Sequence, residues 1–274
     1  MKVIFISILL FLSSLSQLLA QDTTSRVVYS LFLIGDAGEP DIQGKDAVLN
    51  SLSAKLKQKG KKSAVVFLGD NIYPRGLVDL EHPDRKQSEE RLSAQLDIIK
   101  SHVGAGYMIP GNHDWEQGGK NGWAEIIAQE KFVTEYLQNP SVFFPKGGCP
   151  TPQEVALTDS VTLVLLDTQW YLHPWKKPDE NSDCEVKTLT GLLTSLDDIL
   201  YRNRHKKVVV TGHHPMYSHS LHGGYYPFKS HILPFSELGI NIPLPILGSI
   251  YPLYRSWIGN IQDIPNPVYQ EMRN

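Results

Sequence analysis

Cysteine is scarce in this chain. Of 274 residues two are cysteine, Cys149 and Cys184, so at most one intrachain disulfide is available. Charge of one sign is lacking as well: 26 lysines and arginines against 29 acidic residues leave a formal net charge of −3. No basic stripe appears, which argues against nucleic acid as the main partner. The nearest approach is the run from Lys55 to Lys62, with five lysines, and a solvated helix end explains it. No internal repeat is visible. Long apolar runs are missing outside the N-terminus, and the one there, Val3 to Leu15, is short and interrupted by serines. A clear membrane span is therefore not expected.

What is present is ordinary globular material, 41% hydrophobic and 20% charged, in a length that holds one large domain or two small ones. Lys2, the apolar stretch after it and Leu18-Leu19-Ala20 before Gln21 form a secretory signal over 1–20; a retained anchor is the alternative. The protein is thus expected to be exported, whether secreted, periplasmic or at the cell surface. In an oxidising compartment Cys149 and Cys184, both in polar loop surroundings, suggest one disulfide; two free buried thiols are the alternative.

The chain is organised around Val65-Val66-Phe67-Leu68-Gly69-Asp70-Asn71-Ile72-Tyr73. An apolar run that delivers a polar loop is how a buried parallel strand reads, and ligands bind at that edge of open α/β sheets. Ser30 to Gly38, Gly106 to Asp114 and Val208 to His214 follow the same pattern. Helical spacing over Gly44–Gln58, with Gly60 as terminator, and over Gln87–His102 gives a βαβαβ run with a mostly parallel sheet. A further helix spans Trp123–Leu137. Val142–Phe144, Glu154–Leu157 and Val161–Leu166 read as an antiparallel meander. A helix over Thr188–Tyr201 and a buried strand over Lys207–Thr211 follow. From Tyr225 to Ile261 the chain is apolar but broken by prolines, which excludes a regular long helix. A covering loop with short helical turns is the plain reading, and a membrane-touching or partner-docking surface the sharper one.

Asp36, Asp70, Asn112 and His213 each follow an apolar strand, and Tyr73 lies three residues past Asp70. Carboxylate, amide oxygen, imidazole and phenolate form a ligand set suited to iron, manganese or zinc. A shared carboxylate can hold two cations close together, and Asp70 is the natural one. Singly, Asp36 and Asp114 read equally well as helix caps, Tyr73 before Pro74 as a core-edge pair, and His222 as a solvated loop histidine. The ordered set carries the inference.

Gly35-Asp36-Ala37-Gly38, Gly69-Asp70-Asn71-Ile72-Tyr73, Gly111-Asn112-His113-Asp114-Trp115 and Gly212-His213-His214-Pro215 resemble the calcineurin-like metallophosphoesterase superfamily. The similarity is greatest to its small, tartrate-resistant type of purple acid phosphatase, which has a tyrosine where Tyr73 stands in place of a histidine at the position of Gly38. The resemblance implies an α/β sandwich of two mixed β-sheets flanked by helices, as one domain over 21–274. It implies two metal ions: Asp36 and Tyr73 on the first, Asp70 bridging, Asn112 and His213 on the second. A phenolate needs a strongly acidic cation to ionise below its ordinary pKa of about 10, which points to ferric iron in the first site, with iron, zinc or manganese in the second. His113 would contact phosphate or protonate the leaving alkoxide, Asp114 would orient His113, and His222 would be a second substrate-facing histidine. His214 and His219 have no counterpart and read as packing or surface residues.

The implied activity is hydrolysis of small phosphate monoesters by a hydroxide held on the metals. A phosphodiesterase or nucleotidase of the same superfamily, or a non-catalytic exported binding module, are the alternatives. One departure stands out: the late Gly-His-x-His motif of the superfamily is missing, and after His222 the remaining histidine is His231. The expectation is therefore a fragment that lacks the last strand or strands, holds five of seven ligands, and is weakly active or inactive. A complete but degenerate member is the alternative.

Overall fold

The computed structural model describes residues 27–236 and 239–274. The stretch read as a signal, 1–20, lies outside them. The chain divides into two units, 1–30 and Leu31–Asn274. Of the first, Val27 and Val28 are exposed; everything below concerns the second.

Two three-stranded sheets carry the fold. The first has the order β1 (Ser30–Ile34), β2 (Ser63–Phe67), β3 (Ala105–Met108). Every residue of β2 is buried, which is why its sequence is a continuous apolar run and not an alternation. Strands β2 and β3 are parallel, with Val66 opposite Tyr107. The connections are the helices α1 (Ala47–Lys59) and α2 (Arg85–Ser101). Asp46 caps α1 by accepting from the Leu49 amide at 2.8 Å, and Gly60 ends it at φ 59°, the left-handed conformation in which glycine carries no Cβ penalty.

The alternation along β2 sorts the core. Val65 and Phe67 face the helices, meeting Leu52 and Leu56 of α1, Leu92 and Leu96 of α2, and Ile126 and Val133 of α3 (Gly122–Leu137). Val66 faces the other way, toward the second sheet. That sheet has the order β4 (Gln153–Thr158), β5 (Val161–Leu165), β6 (Lys207–Thr211). It is mixed, antiparallel at Val155–Leu163 and parallel at Leu163–Val209. Val66, Ile109 and Phe144 pack against Leu163, Leu165, Val155 and Val209, so the two sheets are layers of one sandwich with helices outside. The expected fold class is observed.

One expected strand moves. Val142–Phe144 does not join the meander; Phe143 forms an isolated parallel bridge with Met108 of the first sheet. The Met108 amide donates to Val142 O and the Phe144 amide to Met108 O, each at 2.9 Å. The reason is that Phe143 fills the helix-side core while Phe144 fills the layer between the sheets. Two adjacent large apolar side chains buried on opposite faces suit the edge of a covered sheet better than a hairpin with one wet face.

Beyond β5 the short helix α4 (Thr168–Leu172) is capped by Asp167, and α5 (Leu189–Arg202) by Thr188. The proline-broken stretch 225–261 forms short helices, α6 (Phe228–Ile232) and α7 (Ile250–Trp257), as the plain reading expected. It is followed by α8 (Pro267–Arg273). Many of its apolar residues stay exposed, Phe228, Ile246 and Trp257 among them. No helix among the described residues is long and apolar enough to cross a membrane.

Cys149 and Cys184 are joined in a disulfide across 35 positions. A loop of that size contributes about 3–4 kcal/mol by limiting the unfolded chain. Urea unfolding with and without reductant should show a loss of that order, with little change in the native circular dichroism. Coincident midpoints would mean that the bond adds nothing to stability.

Candidate metal centre

The C-terminal ends of β1, β2, β3 and β6 place Asp36, Asp70, Asn112 and His213 around one cleft of about 520 Å³. Asp70 is its centre. Its carboxylate is buried, and both Asp70 and Asp36 have left-handed backbones, φ 52° and 56°. That conformation is uncommon outside glycine and costs on the order of 1 kcal/mol or more at each position. The loops approach one another closely enough to enforce it. A Cβ on Gly69, itself at φ 95°, would lie 2.5 Å from the Gly111 amide nitrogen, and a Cβ on Gly111 would lie 2.8 Å from His213 Cε1. Glycine is therefore required at both positions for the loops to stack.

The two oxygens of Asp70 face different groups. Oδ2 lies 3.0 Å from Tyr73 Oη, which is also 3.0 Å from Asp36 Oδ1. Oδ1 lies 3.4 Å from His213 Nε2, which is 3.0 Å from Asn112 Oδ1. Atoms of Asp36, Asp70 and His213 fall within 4.8 Å of one another, as a metal site requires. Burial, with the charges of Asp70 and then Asp36, pushes the Tyr73 hydroxyl far above its ordinary value.

Hydrogen bonding tests whether this set suits a cation. His213 Nδ1 donates to Leu68 O at 3.0 Å, so in the neutral ring Nε2 carries a lone pair. That lone pair faces the oxygens of Asn112 and Asp70, so three acceptors converge with no proton between them. On the other side a single phenolic proton faces two carboxylates. Both arrangements fit a cation, and the outer bond to Leu68 sets the imidazole tautomer that a metal takes.

His113 and His222 complete the lining. His113 Nδ1 contacts Pro74 O at 2.6 Å, its amide donates to Asp70 Oδ1 at 2.9 Å, and its Nε2 lies 3.8 Å from Asp70 Oδ2. His222, on the turn Leu221–Gly223, contacts Asp263 Oδ1 through Nδ1 at 2.9 Å. Gln117, Ser220, Asn260 and Gln262 add uncharged hydrogen-bonding groups. A larger groove of about 840 Å³ beside α1 and α2 is lined by solvated side chains such as Asp41, Lys86 and Glu89, so chemistry and not size selects the site.

Asp114 is not where its expected role requires. It is fully buried and accepts from the Gly111 amide at 2.8 Å and from the Asn71 amide and side chain at 3.1 Å. The orienting contact of the His113 ring is instead the Pro74 carbonyl. Asp114 ties the second loop to the third from beneath, and burial, then the charge of Asp70, pushes its carboxyl up to about 8. His214, read as a packing residue, is buried between Thr168 Oγ1 at 2.7 Å and Gln262 Oε1 at 2.6 Å. Burial, then its neighbour His213, holds it at about 3. Gln262, Asp263 and Asn260 carried no sequence signal, because they lie at or just past the end of the proline-broken region and meet the site only through the fold.

The profile of the calcineurin-like phosphoesterase family matches residues 31–242, and the chain belongs to that family. Among curated relatives, it is 24% identical over 216 residues to purple acid phosphatase 4 of Arabidopsis thaliana, covering 76% of this chain and 58% of the relative. It is 23% identical over 223 residues to purple acid phosphatase 17 of the same plant, covering 78% and 60%. The chain thus spans about three-fifths of the length of these relatives. No solved structure gives a significant match.

Asp167 supports the third loop from below. It accepts from the Trp115 indole at 2.9 Å and the Trp170 amide at 3.0 Å, and burial, only partly opposed by those bonds, pushes it up to about 7. The folded state therefore binds a proton that the unfolded chain releases near pH 4. The stability linked to that proton is complete below about pH 4 and is lost as pH rises through 7. The advantage of the parent over Asp167→Asn in urea should shrink from pH 4 to pH 8. Parallel stability curves would refute the linkage.

Proposed function

We propose that the cleft holds two metal ions and hydrolyses phosphate monoesters, weakly with the five ligands that this chain supplies. Asp36, Tyr73 and Asp70 would hold the first ion, and Asp70, Asn112 and His213 the second. The observation that carries this reading is the division of the Asp70 carboxylate, one oxygen toward Tyr73 and the other toward His213. A phenolic ligand between two carboxylates favours a hard trivalent cation in the first position, ferric iron by preference, with iron, zinc or manganese in the second.

Bound there, the ions supply Lewis-acid charge for the phosphoryl oxygens and a nucleophile at neutral pH. The chain supplies the rest. Its Pro74 contact fixes His113 with Nε2 toward the cleft, and in the imidazolium form the Nε2 proton goes to the ester oxygen as the bond to phosphorus breaks. The nearby Asp70 carboxylate steadies that charge. His222 reaches the phosphoryl oxygens from the opposite rim. The signal-like N-terminus and the disulfide support export.

Reconstitution with ferric and divalent ions should give two metals per chain and a visible charge-transfer absorption. Tyr73→Phe should remove the absorption, and Asp70→Asn should lower the content of both metals. On an alkyl phosphate His113→Ala should cost on the order of 10²–10⁴-fold in kcat, and less on an aryl phosphate whose leaving group needs no proton. Faster cleavage of diesters than of monoesters would overturn the substrate class, and a single bound metal would overturn the bridging role of Asp70.

A further inference from the structure

His222 is the most exposed of the histidines facing the cleft, its side chain 61% accessible. A free side chain of that kind must lose its rotamer freedom to meet a phosphoryl group. Here the loss is already met on the protein side. The ring is held through Nδ1 by Asp263, and the His222 carbonyl accepts from the Ile264 amide at 2.8 Å. The chain thus returns 41 positions later and grips both ends of the residue.

The grip is built from buried parts. Asp263 is fully buried. The oxygen that meets His222 also accepts a short bond from Arg255 Nη2, and the other oxygen accepts from the Asn260 amide at 2.8 Å. Arg255, on α7, is itself held by Tyr251 Oη at 2.8 Å. Burial works against the Asp263 charge, but the bonds from His222, Arg255 and Asn260 outweigh it and keep the carboxyl below its ordinary range. An ionised carboxylate only accepts, so the proton between the two groups belongs to His222 Nδ1, and Nε2 is turned into the cleft. A buried ion pair is not needed for stability, since apolar residues of similar volume commonly serve as well. Its cost is explained if it serves the histidine.

We infer that Asp263, held by Arg255, is a positioning residue that fixes the orientation and tautomer of His222 for a bound phosphoryl group. The inference rests on the phosphoesterase reading of the cleft, and it assigns a task to the proline-broken segment: α7 and the turn after it carry the clamp.

The first test needs neither metal nor turnover. Nitrogen-15 spectra of the metal-free protein, with His222 assigned by its loss in His222→Gln, should show the proton on Nδ1. A majority Nε2–H form, which free imidazole prefers, would overturn the inference. Removing Asp263 alone strands a buried arginine, so the informative variant is Arg255→Met with Asp263→Leu, which removes the pair together. Its His222 signal should move to the Nε2–H form while the circular dichroism is kept; an unchanged signal overturns the clamp. In the metal-loaded protein this double variant should lose about 10- to 100-fold in kcat/KM on an aryl phosphate. Adding His222→Ala should cost nothing further, whereas fully additive losses would reduce the pair to a structural role. If even the parent fails to hydrolyse any phosphate ester, the proposed activity falls, and the tautomer measurement still decides for or against the clamp.

Discussion

The structure depends on one buried carboxylate. Asp70 stands at the end of a strand buried along its whole length, in a left-handed backbone, with oxygens on both sides of it and, among the described residues, no lysine or arginine in an ion pair with it; its nearest ring nitrogens are those of His213 and His113. A buried carboxylate without a permanent countercharge is among the costlier features a fold can hold. The imbalance is local, because the surrounding loops are otherwise well bonded. Asp36 donates its amide to Gly69 O, Tyr73 donates its amide to Gly38 O, and the His113 amide binds Asp70 itself. Rigid loops around a carboxylate that no lysine or arginine neutralises are preorganisation of the kind a cation site requires, and the stable sandwich beneath carries the strain.

Two tiers of support lie under that carboxylate. Asp114 joins the amides of the second and third loops, and Asp167 joins the third loop, through Trp115, to the cap of α4. Burial pushes both carboxyls above their ordinary range, against the N–H bonds that each accepts. The upper tier, Asp70 and Asp36, faces the cleft. Acidic residues of one sequence type thus divide into those that face the cleft, where the proposed ions would sit, and props that bridge neighbouring loops.

That division explains what could and could not be read from the sequence. A strand followed by Gly-Asp or Gly-Asn-His is a local pattern, and β1, β2, β3 and β6 with their loop residues were legible because each element carries its own apolar run. Asp114 looked like a partner of His113 because the two are adjacent in sequence, yet adjacent side chains leave a loop in different directions, and this one points down. Phe143 was assigned to the wrong sheet for a related reason: apolar strength gives burial but not partner. Asp263, Arg255 and Gln262 had no local signature at all. Their meaning lies in contacts made across 41, 8 and 48 positions; prolines hide any periodicity in the segment that carries Arg255, and Gln262 and Asp263 follow it directly.

The proline-broken segment also explains how, among the described residues, the cleft is walled on one side by short helices and turns. Prolines prevent a long helix, so the chain can only form short ones, and short helices are weak unless tied to something buried. The ties come from the chain just after that segment, are polar and converge on the cleft: Asp263 to His222, Gln262 to His214, the Tyr269 hydroxyl to Pro215 O at 2.8 Å. Apolar packing contributes less, since Ile264 and Tyr269 are buried with Leu172 while Trp257 and Ile246 stay in solvent. A wall held by polar bonds to the site's own histidines is coupled to their state.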